Sequence, residues 1–165
     1  MDFARLLRHL ATSARLARRR YPAPALAAIE AAIAAAEERH EPEIRVAVEA
    51  ALHPRAVIRG LTPRARAIEV FGELRVWDTE HNTGVLIYLL LADRDVEIVA
   101  DRGVAAKVAP VEWEVICREM ETHLRDGSYE AGALTGIRAV SDLLARHFPA
   151  RGPRRGEQPD RPVVL

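Results

Sequence analysis

Oxygen-bearing side chains that could hold a divalent cation are concentrated in the segment WDTEHNTG, residues 77–84. Calcium and magnesium prefer several oxygen ligands from carboxylates, amides and backbone carbonyls, best supplied by a loop that wraps the ion. Asp78, Glu80 and Asn82 lie in this segment, and Asp101 follows the next hairpin. We therefore predict a Ca²⁺ or Mg²⁺ site formed by these four residues. The simpler alternative is that Asp78 and Asn82 only stabilise turns, because the spacing lacks the EF-hand pattern.

A second group of charged side chains could bind an anion. The sequence Ala-Asp-Arg occurs twice, and its first copy supplies Asp93 and Arg94. An arginine can grip a phosphate with two parallel hydrogen bonds, and a neighbouring aspartate can orient it. Arg102, in the second copy, has the same potential beside the predicted cation site, and Asp126 is expected near Asp93. We predict an anion or secondary site from these four residues. The alternative is that Asp93 and Arg94 simply form a hairpin turn.

No nucleophile for group transfer is recognisable in the sequence. Cys117 is the single cysteine, and we interpret it as a small core residue. There is no Cys-x5-Arg loop, no Asp-x-Asp phosphoaspartate signature and no glycine-rich phosphate cradle. A phosphatase built from this chain would therefore have to use a metal-activated water.

Three predicted strands position the two groups of charged residues. Residues 43–49 alternate between apolar and polar, which indicates a strand with one better-buried face. Residues 84–92 are apolar throughout, as in a central strand covered on both faces, and residues 95–101 return as an antiparallel partner. Asp93 and Asp101 are eight positions apart, and an extended chain separates them by about 26 Å. The two groups must therefore be separate sites at opposite ends of the sheet.

Helical patterns surround these strands. They cover residues 24–40, a stretch that starts at Thr62, residues 108–126 and residues 129–148. A helix between two strands implies a parallel pair with a right-handed crossover. Together the elements predict a three-layer α/β/α sandwich over residues 22–149, with a small mixed sheet made of a parallel strand-helix-strand unit and an antiparallel hairpin. Residues 150–165 are rich in Pro, Gly and Arg and are predicted to be a disordered tail.

Residues 1–21 are predicted to form a basic amphipathic helix. Apolar side chains recur at helical spacing from Phe3 to Ala17, and residues 2–20 contain six arginines against the single acid Asp2. Such a helix could attach the protein to a membrane surface, to a protein partner or to a second copy of the chain as a homo-oligomer. The alternative is that it packs against its own domain.

Overall composition excludes several classes of protein. The chain has 24 basic and 24 acidic residues, so it lacks the electrostatic footprint of a nucleic-acid binder and no specific nucleic-acid partner is expected. Arg5 and Arg8 interrupt any signal-peptide core, and no stretch reaches the roughly 18 uncharged residues of a membrane span. We expect a cytoplasmic location, either free or peripheral to a membrane.

Several short motifs occur in an order typical of one family. They are Asn82, Gly84, Val85 and Leu86 at the start of the central strand, Asp93 and Arg94 in the hairpin, Gly103 after the next strand, and the DGSYEAG turn into the last helix. With these motifs, about residues 1–149 resemble the TPM domain family, which includes a thylakoid-lumen acid phosphatase and photosystem-repair proteins. The LRHL segment at residues 7–10 is similar to a soluble bacterial branch of that family.

The resemblance implies an α/β/α sandwich, divalent-cation binding in some members and phosphatase activity in a few. The expected function is a TPM-like cation-binding domain that acts as an interaction or regulatory module. The alternative is a metal-dependent acid phosphatase that hydrolyses phosphomonoesters with metal-activated water. The chain departs from exported or membrane-anchored members because no signal peptide or membrane span is recognisable in it.

Overall fold

A computed structural model describes residues 2–153 and 156–165. Its helices are α1 (Phe3–Ala11), α2 (Ala14–Arg20), α3 (Ala23–Glu37), α4 (Pro54–Ile58), α5 (Pro63–Glu73), α6 (Arg102–Ala105), α7 (Pro110–Arg125) and α8 (Tyr129–His147). Its strands are β1 (Glu43–Glu49), β2 (Gly84–Leu90), β3 (Asp95–Ala100) and β4 (Val163–Val164). The three strands and the longer helices predicted from the sequence are therefore present.

Within the described residues the strands form one four-stranded sheet in the order β3-β2-β1-β4. β1 and β2 are parallel, with Glu43 opposite Gly84, whereas β2 and β3 are antiparallel, with Leu90 opposite Asp95. This confirms the predicted parallel unit and hairpin. β1 is buried at every position except its last, although its alternation predicted one better-buried face. The reason is that β1 is internal, between β2 and β4, and helices cover both of its faces.

Helices on both faces of the sheet produce the predicted α/β/α sandwich. Ile44, Val46 and Ile87 point into one hydrophobic core, to which α3, α7 and α8 contribute. Leu86 and Tyr88 alternate with them and point into a second core beneath α5. Because successive strand residues face opposite sides, the wholly apolar β2 supplies both cores at once.

The N-terminal segment consists of two helices, whereas the sequence pattern predicted one. The break falls at Thr12 and Ser13, where the Ser13 hydroxyl accepts a hydrogen bond from the Leu16 N–H at 3.3 Å and caps α2. Serine and threonine end helices readily because their hydroxyls bond to nearby backbone groups. The break lets Leu6 of α1 join the core beneath α5, while Ala17 of α2 joins the core on the opposite face. The two helices thus pass around one end of the sheet.

The C-terminal segment, predicted to be disordered, contributes an edge strand. Val163 and Val164 pair in parallel with Ala47 and Val48 of β1. This pairing satisfies backbone groups that β1 would otherwise leave open at an edge, which composition alone could not reveal. Residues 154–155 of the predicted tail lie outside the described residues.

Two short helices occupy segments in which no helix was predicted. The His53 ring accepts a hydrogen bond from the Arg55 N–H at 3.2 Å and caps α4, and Asp101 caps α6. Helices this short give no periodic signal, so the sequence pattern cannot reveal them. Among the described residues, none of the helices combines the length and the apolar character needed to cross a bilayer.

Candidate functional site

The predicted cation ligands lie at the amino end of β2. We call residues 75–83, together with Asp101 and Arg102, the Asn82 site. Asn82 has a left-handed backbone with φ of 55°, a conformation that asparagine adopts more readily than most residues. Its side-chain Oδ1 accepts a hydrogen bond from the Arg102 guanidinium at 3.0 Å. The structure therefore joins Asn82 to Arg102, across the gap between the loop and the end of β3.

Two glycines hold the loop of the Asn82 site against the sheet. A Cβ on Gly84 would lie 1.8 Å from the carbonyl oxygen of Val76. A Cβ on Gly103 would lie 2.6 Å from the carbonyl oxygens of both His81 and Asn82. These approaches are possible only without a side chain, so both glycines are required for the geometry of the site.

Asp101 is the most constrained acid of the Asn82 site. Its backbone N–H donates to the Gly84 carbonyl at 2.8 Å, and its Oδ1 accepts from the Arg102 N–H at 2.7 Å. Its Oδ2 is inaccessible to solvent and has no hydrogen-bond partner among the described residues. Withdrawing a carboxylate oxygen from water without a donor is costly. Asp101 therefore has one buried carboxylate oxygen without a described partner at this end of the sheet.

Asp78 and Glu80 are exposed, and the C-terminal segment contacts their backbone. The Glu157 carboxylate accepts from the Glu80 N–H at 3.1 Å, and the Gln158 amide donates to the Asp78 carbonyl at 3.3 Å. Among the described residues, no three Asp, Glu, His or Cys side chains are arranged to hold a metal ion. Asp78, Glu80 and Asp101 therefore do not form a preformed cluster, and their role as ligands stays a prediction.

A group of buried polar residues near the start of β1 was missed by the sequence reasoning. Ile44 donates its N–H to Glu37 Oε1 at 2.7 Å, and the Glu43 carboxylate accepts from the Gln158 N–H at 3.2 Å. Burial lowers the pKa of His40 to about 4. The three polar residues Glu37, His40 and Glu43 line a 330 Å³ cavity. Charged residues in the segment EERHEPE gave no signal of burial, because their partners include residues 157–158 at the far end of the chain.

A different arrangement lies at the carboxyl ends of the parallel strands β1 and β2. We call it the Asp93 clamp and define it as Asp93, Arg5 and His9. Arg5 Nη2 lies 2.8 Å from Asp93 Oδ2, and His9 Nε2 lies 3.1 Å from Oδ1. Arg5 Nη1 also donates to the Leu61 carbonyl at 2.9 Å. The Leu52 N–H donates to His9 Nδ1 at 2.9 Å. The clamp fixes one face of α1 to the loops that follow β1 and β2.

Burial and charge set the protonation states of the Asp93 clamp. Burial opposes ionisation of Asp93, but the hydrogen bonds from Arg5 and His9, together with the charge of Arg5, outweigh it and hold the Asp93 pKa below its ordinary value. Burial lowers the pKa of His9, although Asp93 partly offsets this effect. Because Nδ1 of His9 accepts from Leu52, the neutral ring carries its proton on Nε2, facing Asp93. The Asp93 carboxylate therefore binds side chains of α1.

The other residues of the predicted anion site are dispersed. Arg94 is exposed and occupies the hairpin turn with φ of 53°, and Asp126 is an exposed residue at the end of α7. Arg102 belongs to the Asn82 site at the opposite end. Asp95, next to the clamp, has a solvent-inaccessible Oδ1 with no described partner. Burial first, then the charges of Glu97 and Glu121, raise the pKa of Asp95 to about 7.

Cys117 lines a 440 Å³ groove along the outer edge of β3. Burial is the main cause that raises the pKa of its thiol to about 12, with a contribution from the Glu97 charge. A thiol with this pKa stays protonated at neutral pH and is a poor nucleophile. This fits the interpretation of Cys117 as a packing residue.

Comparison with known proteins identifies the family. The structure is similar to the NMR structure of the BA42 protein from the psychrophilic bacterium Bizionia argentinensis, with a TM-score of 0.76 and 27% sequence identity over 87% of this chain and 94% of that chain. A comparison with curated proteins gave no significant match. The sequence pattern of the TPM domain matches residues 23–143, from the start of α3 into α8. The chain therefore belongs to the TPM domain family.

Proposed function

We propose that this protein is a divalent-cation-binding interaction or regulatory module whose central ligand is Asp101. The observation that carries the proposal is the buried Oδ2 of Asp101, which has no hydrogen-bond donor among the described residues. A hard cation such as Ca²⁺ or Mg²⁺ would supply the positive charge that this oxygen lacks. The carbonyls of His81 and Asn82 reach the same turn through their close approach to Gly103.

The remaining donors of the Asn82 site fit a hard cation better than a soft one. Asp78 and Glu80 offer exposed carboxylates on the same loop, and backbone carbonyls add neutral oxygens. His81 is the single histidine of this loop, fewer nitrogen ligands than zinc sites ordinarily use. Asn82 can join the ligand set only by leaving Arg102, which now bonds to its Oδ1. Cation binding is therefore expected to rearrange the loop and release Arg102.

Such a rearrangement supports a role in interaction or regulation. Trp77 is half exposed and lies beside Asp78 on the loop that would close over the cation. Exposed tryptophans commonly anchor protein interfaces, because they bury a large apolar area at a low entropic cost. A cation that orders the loop would thereby fix the position of Trp77 for a protein partner.

Calcium titration followed by NMR tests the proposal. We expect shifts in residues 78–84 and 101–104 that saturate with added Ca²⁺. Asp101→Asn keeps the Oδ1 acceptor for α6 but removes the charge, so it should weaken binding at least about tenfold. The control Asp126→Asn changes an exposed acid elsewhere and should bind as the wild type does. Arg102→Ala should strengthen binding, since it removes a positive charge beside the site.

The enzymatic alternative, a metal-dependent phosphatase at the same site, is tested separately. The raised pKa of Cys117 argues against thiolate chemistry, so hydrolysis would rest on a metal-activated water. Under the module hypothesis, p-nitrophenyl phosphate should not be turned over in a cation-dependent manner. Cation-dependent turnover that disappears in a folded Asp101→Ala variant would establish the enzyme instead.

A further inference from the structure

The outward face of α1 is apolar and uncovered. Phe3, Leu7 and Leu10 are 52–60% exposed, and Ala4 and Ala11 on the same helix are exposed as well. The opposite face of this helix is the one held by the Asp93 clamp, so the apolar face cannot turn inward while the clamp is intact. A surface helix ordinarily places its apolar stripe towards the core, and here part of the stripe points away from it.

The next helix along the chain carries several positive charges. Arg15, Arg18 and Arg19 form the exposed side of α2, while Ala17 is buried against the domain. Residues 3–20 contain no acidic residue. α2 is about 10 Å long and begins two residues after α1, so its arginines lie within roughly one to two Debye lengths of the apolar face.

We propose that α1 and α2 bind an anionic lipid surface. α1 would lie in the plane of the interface with Phe3, Leu7 and Leu10 between the headgroups, and the arginines of α2 would contact lipid phosphates. This arrangement is that of interfacial amphipathic helices, in which apolar insertion and attraction to anionic lipids act together. A bilayer accepts a convex apolar ridge without a matching groove, which suits a helix fixed to its domain along one side.

A second copy of the chain fits this surface poorly. α1 is about 14 Å long and roughly 10–12 Å wide, and its single face is far smaller than the roughly 800 Å² per partner that a stable interface buries. A symmetric dimer across α1 would also bring two sets of arginines close together with no acid on either α1 or α2 to balance them. Both the small area of the α1 face and the unbalanced arginines therefore favour a lipid surface over a second copy of the chain.

Flotation of the full chain with vesicles tests the proposal. We expect binding to phosphatidylcholine vesicles that contain one-third phosphatidylglycerol, no binding to phosphatidylcholine alone, and release at high salt, because the screened arginines no longer attract the headgroups. The variant Phe3→Ser/Leu7→Ser/Leu10→Ser should bind at least about tenfold more weakly. Arg15→Gln/Arg18→Gln/Arg19→Gln should lose the preference for anionic vesicles while α1 is left intact.

A matched control removes exposed apolar residues from other surfaces. Ile68, Val111 and Val115 are 52–58% exposed on α5 and α7, and their triple serine variant should bind vesicles as the wild type does. Circular dichroism would verify that every variant is folded. The proposal is wrong if the wild type ignores anionic vesicles, or if the control variant loses binding as fully as the α1 variant. A dimer that dissociates in the α1 variant, without vesicle binding, would assign this face to self-association instead.

Discussion

The two ends of the sheet carry the same Ala-Asp-Arg sequence and use it differently. At the carboxyl end, Asp93 is bound by Arg5, 88 positions away along the chain, and by His9. At the amino end, Asp101 caps α6 with one oxygen and leaves the other buried without a described partner. Asp93 follows β2 and lies in the hairpin turn, whereas Asp101 follows β3 and caps α6. The same three residues therefore form different local structures, and the tertiary surroundings decide which carboxylate oxygens have a hydrogen-bond partner.

The largest effect on stability is expected from a side chain at Gly84, because it would fill space that the loop of the Asn82 site occupies. Gly84→Ala would put a Cβ 1.8 Å from the Val76 carbonyl, so backbone must move, and the free energy of unfolding should fall by about 3–5 kcal/mol. Urea denaturation would measure the loss. Gly72→Ala is the matched control, because the added Cβ meets no atom within 4 Å outside the neighbouring backbone of its own helix, and it should not destabilise the protein. Equal effects of the two variants would contradict this geometry.

Removing the Asp93 clamp should lower the free energy of unfolding by a smaller amount than Gly84→Ala, and it should affect α1 alone. Asp93→Ala leaves Arg5 and His9 without their partner in a half-buried setting, so stability should fall by about 2–3 kcal/mol. Hydrogen exchange should accelerate in α1 and remain unchanged at the Asn82 site. The exposed pair of Arg39 and Asp142 provides the control, because Asp142→Ala should cost less than about 0.5 kcal/mol. A clamp variant as stable as this control would mean that α1 is held by other contacts.

A smaller, pH-dependent effect on stability is expected from Asp95, because its pKa is raised whereas that of nearby Asp93 is lowered. The pKa of Asp95 is raised to about 7 from 3.8, so the folded state binds more protons than the unfolded state between these values. Wild-type stability should therefore fall as pH rises from about 4 to 7, and Asp95→Asn should remove that loss and gain about 1–2 kcal/mol at pH 8. Urea midpoints at several pH values would measure the difference. A gain that is the same at pH 4 and pH 8 would rule out titration as the cause.

The smallest effect concerns the C-terminal contact with the Asn82 site. Gln158 donates to the carbonyls of Arg75 and Asp78 at 3.1 and 3.3 Å, and Gln158→Ala should cost about 1 kcal/mol. Hydrogen exchange in residues 75–80 should increase, since the loop loses one of its supports. Arg161→Ala, at an exposed side chain of the same segment, should leave this exchange unchanged. Unchanged exchange in both variants would show that the loop is held without Gln158.

Much of the architecture could be predicted because it depends on local patterns. The apolar run of β2 specified a strand covered on both faces, and the turn at Asp93-Arg94 specified the hairpin with β3. The break at Thr12 and Ser13 was missed because the apolar spacing continues across it, although both residues favour helix ends. Periodicity reports which side of an element is apolar and does not report where the chain bends.

The candidate sites were predictable only in part. The sequence placed Asp101 and Asn82 at one end of the sheet and Asp93 at the other, because strand length and hairpin connection fix those positions. The sequence could not reveal that Arg5 and His9 would bind the Asp93 carboxylate. Nor could it reveal that Gln158 and Glu157 would contact the loop of the Asn82 site. These partners come from distant parts of the chain, and only the packed tertiary structure brings them within hydrogen-bond distance. The sequence by itself therefore determined the layers and the ends of the sheet, whereas the folded chain decided which acids are paired and which keep a buried oxygen without a described partner, because those contacts join distant parts of the chain.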